Sequence, residues 1–176
     1  MFAALALSAL IFVPGCGYTT RSLLPPSVKS IYVDNFKNAI SVEAEQSNVR
    51  MYRAYRPGMQ VDITKAVINR FLTDGNLKVA TESTADIILT GELIDFRREP
   101  LRYDTNYNIE EYRLKLIVNM ELRDVKTGKV MWTEKGFAGE STFRTTGSLA
   151  VSEDAAMTAV IEDLARRITE RTVEAW

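Results

Sequence analysis

The chain has 176 residues, of which 46% are hydrophobic and 26% charged, and its net charge is −1. This composition is typical of a globular protein, and near neutrality without basic blocks argues against nucleic-acid binding as the main function. The sequence contains no histidine and one cysteine. These counts exclude Ser-His pairs, Cys-His pairs and histidine-based zinc sites, which leaves carboxylate, lysine or tyrosine chemistry for catalysis. We therefore predict no metal site and no cofactor.

The N-terminal segment has the pattern of a bacterial lipoprotein signal peptide. Residues 1–13 are almost wholly apolar and uncharged, and the small Gly15 precedes the only cysteine, Cys16. We predict a signal peptide over 1–15, acylation of Cys16 and a Pro-rich tether over 16–27. The alternatives are an ordinary signal peptide and a transmembrane anchor, but spanning a bilayer needs roughly 20 apolar residues.

Two amphipathic helices are predicted in a single domain over residues 28–176. Apolar residues recur at three and four positions over 60–73, and Gly75 follows as a left-handed stop. Ser152 is the predicted N-cap of a second helix that runs almost to the C-terminus. Their apolar stripes comprise Ile63, Val67, Phe71, Val160, Leu164 and Ile168.

The strands are predicted from period-two alternation. They span 28–36, 77–80, 86–96, 112–122 and 129–137. The clearest pattern is that of 112–122, which indicates one buried and one wet face. Residues 97–108 are interpreted as a loop or an irregular strand extension, 138–150 as a loop, and 124–128 as a hairpin turn.

Residues 37–58 have no clear period. Arg50, Arg53 and Arg56 interleave with aromatic side chains, a pattern that can bind nucleic acid or lipid head groups. A solvated loop whose rings pack locally is the preferred interpretation.

Several segments, taken in order, resemble the LptE family of lipopolysaccharide-assembly lipoproteins. They are Cys16-Gly17-Tyr18, IYVDNF (31–36), FLTDGNLKV (71–79), ADIILTG (85–91), KTGKVMW (126–132) and DLARRI (163–168). The resemblance covers nearly all of the mature chain except residues 37–56. It implies an α+β fold, a two-layer sandwich of two α-helices packed on one face of a mixed, mostly antiparallel four-stranded sheet.

The resemblance also implies a non-enzymatic function. Such proteins are lipid-anchored at the periplasmic face of the outer membrane, sit inside the β-barrel protein LptD and help it assemble. They take part in delivering lipopolysaccharide to the cell surface and can bind it. We expect LptD, lipopolysaccharide and the inner leaflet of the outer membrane as partners. The alternative is a lipoprotein that escorts another outer-membrane protein, such as a secretin or a transporter component.

Basic residues are the candidate contacts for the phosphates of lipid A. The candidates for lipopolysaccharide binding are Arg97, Arg98, Arg102, Lys126 and Lys129. We expect the arginines and the lysines at opposite ends of the sheet, as alternative sites. The arginines are preferred because Tyr103 and Tyr107 could pack against sugar or acyl chains. The competing interpretation is that all five are ordinary solvated side chains.

A carboxylate-based hydrolase is the rival function from another class. A cell-wall glycosidase could use Glu92 with Asp95, or Glu110 with Glu111. Acids at alternating strand positions usually form a solvated face, so the sequence favours a protein without catalytic activity.

Overall fold

The computed structural model describes residues 24–40 and 57–174. The predicted signal peptide, Cys16 and residues 41–56 of the basic-aromatic segment lie outside the described residues. In the described part, no helix is both long enough and apolar enough to cross a bilayer. The elements are β1 (Ser30–Val33), β2 (Lys37–Asn38), α1 (Met59–Asp74), β3 (Lys78–Val79), β4 (Ile87–Tyr103), β5 (Ile109–Asp124), β6 (Val130–Arg144) and α2 (Glu153–Glu174).

The strands form one mixed sheet in the order β3-β1-β4-β5-β6, and β2 pairs with β4 beyond the end of β1. The short strands pair in parallel, whereas the long β4, β5 and β6 are antiparallel. The predicted α+β class and the mostly antiparallel sheet are therefore confirmed. The count of four strands is wrong, because the described residues alone form six. β3 lies within the predicted strand 77–80, whereas β2 was not predicted, because its two residues are too few to produce a period in the sequence.

β4 continues past residue 96 to Tyr103, so the strand extension, one of the two alternatives for residues 97–108, is what the structure has over 97–103. Its register passes from Leu93 opposite Val118 to Asp95 opposite Ile117, so Ile94 is an extra residue that interrupts the alternation. Beyond Leu93, the only described strand that pairs with β4 is β5. Pro100 is tolerated there because a strand edge does not need its missing N–H.

β6 is longer than predicted, and it reaches Arg144 rather than residue 137. A bulge explains the error, since Val118 pairs with Phe137 whereas Met120 pairs with Glu134. Gly136 lies in this bulge with φ 67°, and its N–H donates to Asn119 Oδ1 at 3.0 Å. The period of two restarts after the bulge, so the sequence pattern of β6 breaks in its middle.

The core lies between the sheet and the two helices, which cover one face. Both predicted helical stripes are fully buried, and so are alternate residues of β5 from Leu114 to Leu122. α2 packs on β5 and β6, and α1 packs on α2, β1 and β3. The predicted helix ends are confirmed: Gly75 has φ 77° and donates to Phe71 O, and Ser152 Oγ accepts from Ala155 N–H at 3.2 Å.

Two glycines allow close packing on the helix-facing side of the sheet. A Cβ at Gly139 of β6 would lie 2.5–2.8 Å from the Cβ and backbone of Leu164 in α2. A Cβ at Gly91 of β4 would collide with the ring of Phe36. Both positions therefore need the smallest side chain.

Asp86 fastens the start of β1 to the sheet. Its carboxylate accepts hydrogen bonds from Lys29 N–H at 3.0 Å, and from Ser30 N–H at 3.2 Å and Ser30 Oγ at 2.9 Å. Lys126 Nζ donates to the other carboxylate oxygen at 3.0 Å. These donors, the Lys29 N–H foremost, lower the pKa of Asp86 from 3.8 to about 2. Leu24, a residue of the predicted tether, packs against the core.

We predict an acid-dependent loss of stability that originates at Asp86. Its folded-state pKa of about 2 lies below the value of 3.8 for the free side chain. Its stabilising contribution is therefore complete above about pH 4 and is lost as the pH falls from about 4 to 2. Asp86→Asn should lower the free energy of unfolding at pH 7 by about 1–2 kcal/mol. It should also flatten the pH dependence between about pH 4 and 2.

Denaturant unfolding of both proteins across this pH range measures the effect. The control is Glu82→Gln, which removes an exposed carboxyl in the turn before β4. Equal pH dependence for Asp86→Asn and the parent protein would contradict the prediction.

Candidate functional site

The three candidate arginines lie on the outer part of the β4–β5 hairpin, which we call the arm (residues 97–113). No residue of the arm's two strand segments is buried. α2 begins beside the base of the arm, at Glu153. The arm therefore extends past the start of the helical layer, and its open face is accessible to a partner.

Arg97 and Arg98 do not form one cluster. They are consecutive strand residues, so their side chains point to opposite faces of the sheet. Arg97 lies opposite Lys115 on the open face, the face without helices, and is 46% exposed. Its Nε donates to Asp95 Oδ2 at 2.7 Å.

Arg98 points to the helix side and joins the arm to α2. Its guanidinium lies 3.9 Å from the ring centroid of Tyr112, and its Nε lies 3.2 Å from Glu153 Oε1. Tyr112 stacks on Phe143 with the ring centroids 5.7 Å apart. Only 12% of the Arg98 side chain is exposed, so the fold already uses most of its binding capacity.

Arg102 lies near the tip of the arm and is 55% exposed. Its Nε is 3.6 Å from Glu111 Oε2 across the strand pair. Such exposed ion pairs contribute about 0–1 kcal/mol, so Arg102 can exchange this carboxylate for another anion at small cost.

The loop at the tip presents an aromatic side chain. Asp104 Oδ1 accepts from the N–H groups of Asn106 and Asn108, at 2.7 and 2.8 Å. The Asn108 side chain donates to the other oxygen and is the main cause that lowers the pKa of Asp104. Tyr107 is held in the left-handed region with φ 61° and is 89% exposed. A residue of this kind rarely adopts that conformation, so the Asp104 hydrogen bonds fix an unfavourable backbone.

The arm and the 145–151 loop next to it expose apolar and aromatic side chains. The 145–151 loop docks beside it through Thr145 Oγ1, which donates to Ile109 O at 2.9 Å, and Val151 N–H, which donates to Arg144 O at 3.1 Å. The exposed large apolar and aromatic residues in this area are Leu101, Tyr103, Tyr107, Leu149 and Val151.

The candidate lysines lie at the opposite end of the sheet, where β1 and β4 begin. Lys126 is 68% exposed and its Nζ bonds Asp86. Lys129 is also exposed. Asp124 Oδ1 accepts from Thr127 N–H at 2.7 Å and holds the turn between them. The two basic groups are thus separate surfaces.

The open face also carries basic residues that the sequence did not single out. Lys115 Nζ and Arg113 Nε lie 2.9 and 3.6 Å from the carboxylate of Glu140. The polar positions of the 112–122 alternation contain both residues. Their proximity to Arg97, however, depends on the continuation of β4 beyond residue 96, which the sequence left open.

The two pairs of acidic residues considered for a hydrolase are not arranged as catalytic pairs. Glu111 lies 3.6 Å from Arg102 Nε in an ion pair, and Glu110 is the extra residue at a register irregularity of β5. Glu92 lines a groove of about 290 Å³ on the open face, and Asp95 bonds Arg97. The described residues contain no group of three histidine, cysteine or acidic side chains placed to bind a metal ion.

Several solved structures resemble the chain in fold at low sequence identity. The protein CT253 from Chlamydia trachomatis has 9% identity and a TM-score of 0.53, over 82% of this chain and 95% of that one. A single-residue variant of PelC from Paraburkholderia phytofirmans has 16% identity and a TM-score of 0.46, over 89% and 96%. The rare lipoprotein B from Shewanella oneidensis has 15% identity and a TM-score of 0.46, over 82% and 90%. Of these three, the CT253 similarity supports a shared fold alone, and the other two are too weak to carry an argument.

The comparison with curated proteins gives no match. A family model does match, and it spans residues 28–174, from just before β1 to the last residue of α2. Its description is lipopolysaccharide-assembly. Because the match covers most of the sequence, the chain belongs to the LptE family of lipopolysaccharide-assembly proteins.

Proposed function

We propose that this protein is an outer-membrane lipoprotein that assembles with the LptD β-barrel, occupies its interior and assists lipopolysaccharide transport to the cell surface. The observation that carries the proposal is the family match over residues 28–174. A family devoted to lipopolysaccharide assembly supports a protein that acts on the assembly machinery rather than an enzyme. The apolar segment before Cys16 supports attachment to the periplasmic face of the membrane.

The open face of the arm is the proposed contact for lipopolysaccharide. Arg97 and Arg102 are about half exposed, and the ion pairs that they form with Asp95 and Glu111 lie at the surface. Tyr107, at the tip of the arm and 89% exposed, supplies aromatic surface near them. A phosphate beside the arginines and a sugar or acyl group on this tyrosine would match this combination. The alternative site is the pair of lysines, Lys126 and Lys129.

The partner is tested by affinity purification of the tagged protein from a membrane extract. We expect LptD to co-purify, because the family functions in lipopolysaccharide assembly. Recovery of a secretin or of transporter subunits in place of LptD would instead support an escort for another outer-membrane protein. The mock control is the same extract from cells that lack the tag.

Cys16→Ser tests the lipid anchor. Without acyl chains the protein should move from the membrane fraction to the soluble periplasmic fraction, because two or more chains are needed for stable anchoring. Fractionation and palmitate labelling of both forms measure the change. The fractions are prepared from cells depleted of LptD, so that the barrel cannot retain the protein. A variant that stays in the membrane there would contradict the assignment.

Charge reversal on the arm tests the lipopolysaccharide contact. Arg97→Glu with Arg102→Glu should weaken lipopolysaccharide binding to the purified protein at least several-fold. The melting temperature should change little, since both side chains are exposed. Arg98 is left intact, because its loss would separate the arm from α2.

The matched control is Lys126→Glu with Lys129→Glu at the other end of the sheet. Weaker binding in this control, with normal binding in the arm variant, would move the contact to the lysine end. Normal binding in both variants would remove all four residues from the site.

A further inference from the structure

The outer edge of β6 is the edge of the sheet to which a further strand could be added. β6 is the last strand in the sheet order, so its backbone groups that point away from β5 have no partner strand within residues 24–40 and 57–174. Unpaired N–H and C=O groups of this kind attract a strand from another chain unless the fold covers them. Ala138, Glu140 and Thr142 occupy equivalent alternate positions along this edge.

Side chains of α2 bond two of these positions. Asp163 Oδ2 accepts from Glu140 N–H at 2.9 Å, and an Arg167 terminal N–H donates to Ala138 O at 2.6 Å. The Asp163 carboxylate thus takes the place of a strand carbonyl, and the Arg167 N–H takes the place of a strand amide. Asp163 and Arg167, which we call the guard pair, therefore occupy the edge without extending the sheet.

The geometry of the guard pair follows from helix and strand repeats. Residues four apart on a helix are displaced by about 6 Å along its axis. Alternate residues of a strand are about 6.6 Å apart. The two spacings match closely enough for one helix flank to reach two successive backbone groups. Leu164, between the guard residues, lies on Gly139, and this contact sets the helix at the necessary height.

Electrostatics keep the guard pair in place. Arg166 lies 2.6 Å and Arg167 lies 3.6 Å from the Asp163 carboxylate. Burial raises the pKa of Asp163, but the hydrogen bond from Glu140 N–H and the two arginines outweigh it and the net direction is down. The carboxylate thus remains a charged acceptor at neutral pH.

We propose that the β6 edge is a latent self-association surface, which the guard pair keeps closed to β6 of a second copy of this chain. The charges of the edge favour a second copy over other strands. Antiparallel pairing about Thr142 would place Glu140 of each copy opposite Arg144 of the other, on the open face. The result is a two-fold symmetric contact with two complementary charge pairs. Thr142 itself is exposed and lies beyond the two guarded positions.

The 145–151 loop limits how far such a contact extends. Val151 N–H bonds Arg144 O at 3.1 Å, so this backbone acceptor is occupied in the single copy. The outermost backbone pair of the two-fold contact requires the loop to release that bond. The guard pair therefore occupies the β6 edge before Thr142, and the loop occupies it after Thr142.

Cysteine cross-linking of the full-length protein in isolated membranes tests this proposal. Thr142→Cys is introduced into the native sequence and into Asp163→Ala/Arg167→Ala. Directly opposed residues in a hydrogen-bonded antiparallel pair have Cα atoms about 5.5 Å apart, within the range for a disulfide. We expect a reducible dimer several-fold more abundant without the guard pair. The native sequence without an engineered cysteine measures any contribution of Cys16.

Thr158→Cys, at an exposed position of α2, reports chance encounters and should cross-link equally in both backgrounds. Glu170→Ala is the matched control, because it breaks an ion pair within α2 and leaves both guard residues and Arg166 in place. It should leave Thr142→Cys cross-linking at the native level. Arg167→Ala alone is a milder variant. Its Thr142→Cys cross-linking is likewise compared with that of the native background and should be higher. Equal cross-linking of Thr142→Cys with and without the guard residues would overturn the proposal.

Discussion

The close approach of α2 to β6 determines how the helical layer lies on the sheet. Because Gly139 has no Cβ, the backbone of Leu164 can lie directly on the strand. Farther along α2, Arg171 Nε bonds Glu134 Oε1 at 2.7 Å, and its guanidinium lies 4.8 Å from the Trp132 ring centroid. The direction of α2 is thereby fixed along β6. α1 packs on α2, so the position of the second helix depends on the same contact.

The parts of the fold with an uninterrupted period were predictable from sequence. β5 alternates without a break over 112–122, and each helix carries a continuous apolar stripe ended by a recognisable cap. The predictions of β4 and β6 stopped near their bulges. At each bulge an extra residue reverses the order of inward and outward side chains. The apolar alternation before the bulge is therefore out of phase with the alternation after it. Tertiary pairing with β5 then continues both strands through sequence that looks like loop.

The continuation of β4 as a strand over residues 97–103 also affects the candidate site. In a loop, neighbouring arginines such as Arg97 and Arg98 can converge on one ligand. In a strand they cannot, because consecutive side chains diverge. Arg98 became a link between the arm and Glu153, whereas Arg97 faces Lys115 on the open face. Sequence therefore placed the arginines at one end of the hairpin but could not assign them to faces.

The position of β1 has a consequence for the order of folding. β1 lies between β3 and β4, and its Ser30 bonds Asp86, 56 positions farther along the chain. Pairs this distant in sequence form slowly, because the intervening chain must first be ordered. The earliest of the described strands is thus completed only after α1, β3 and the start of β4 are available. A chain that ends before Asp86 would therefore leave β1 paired with β3 alone.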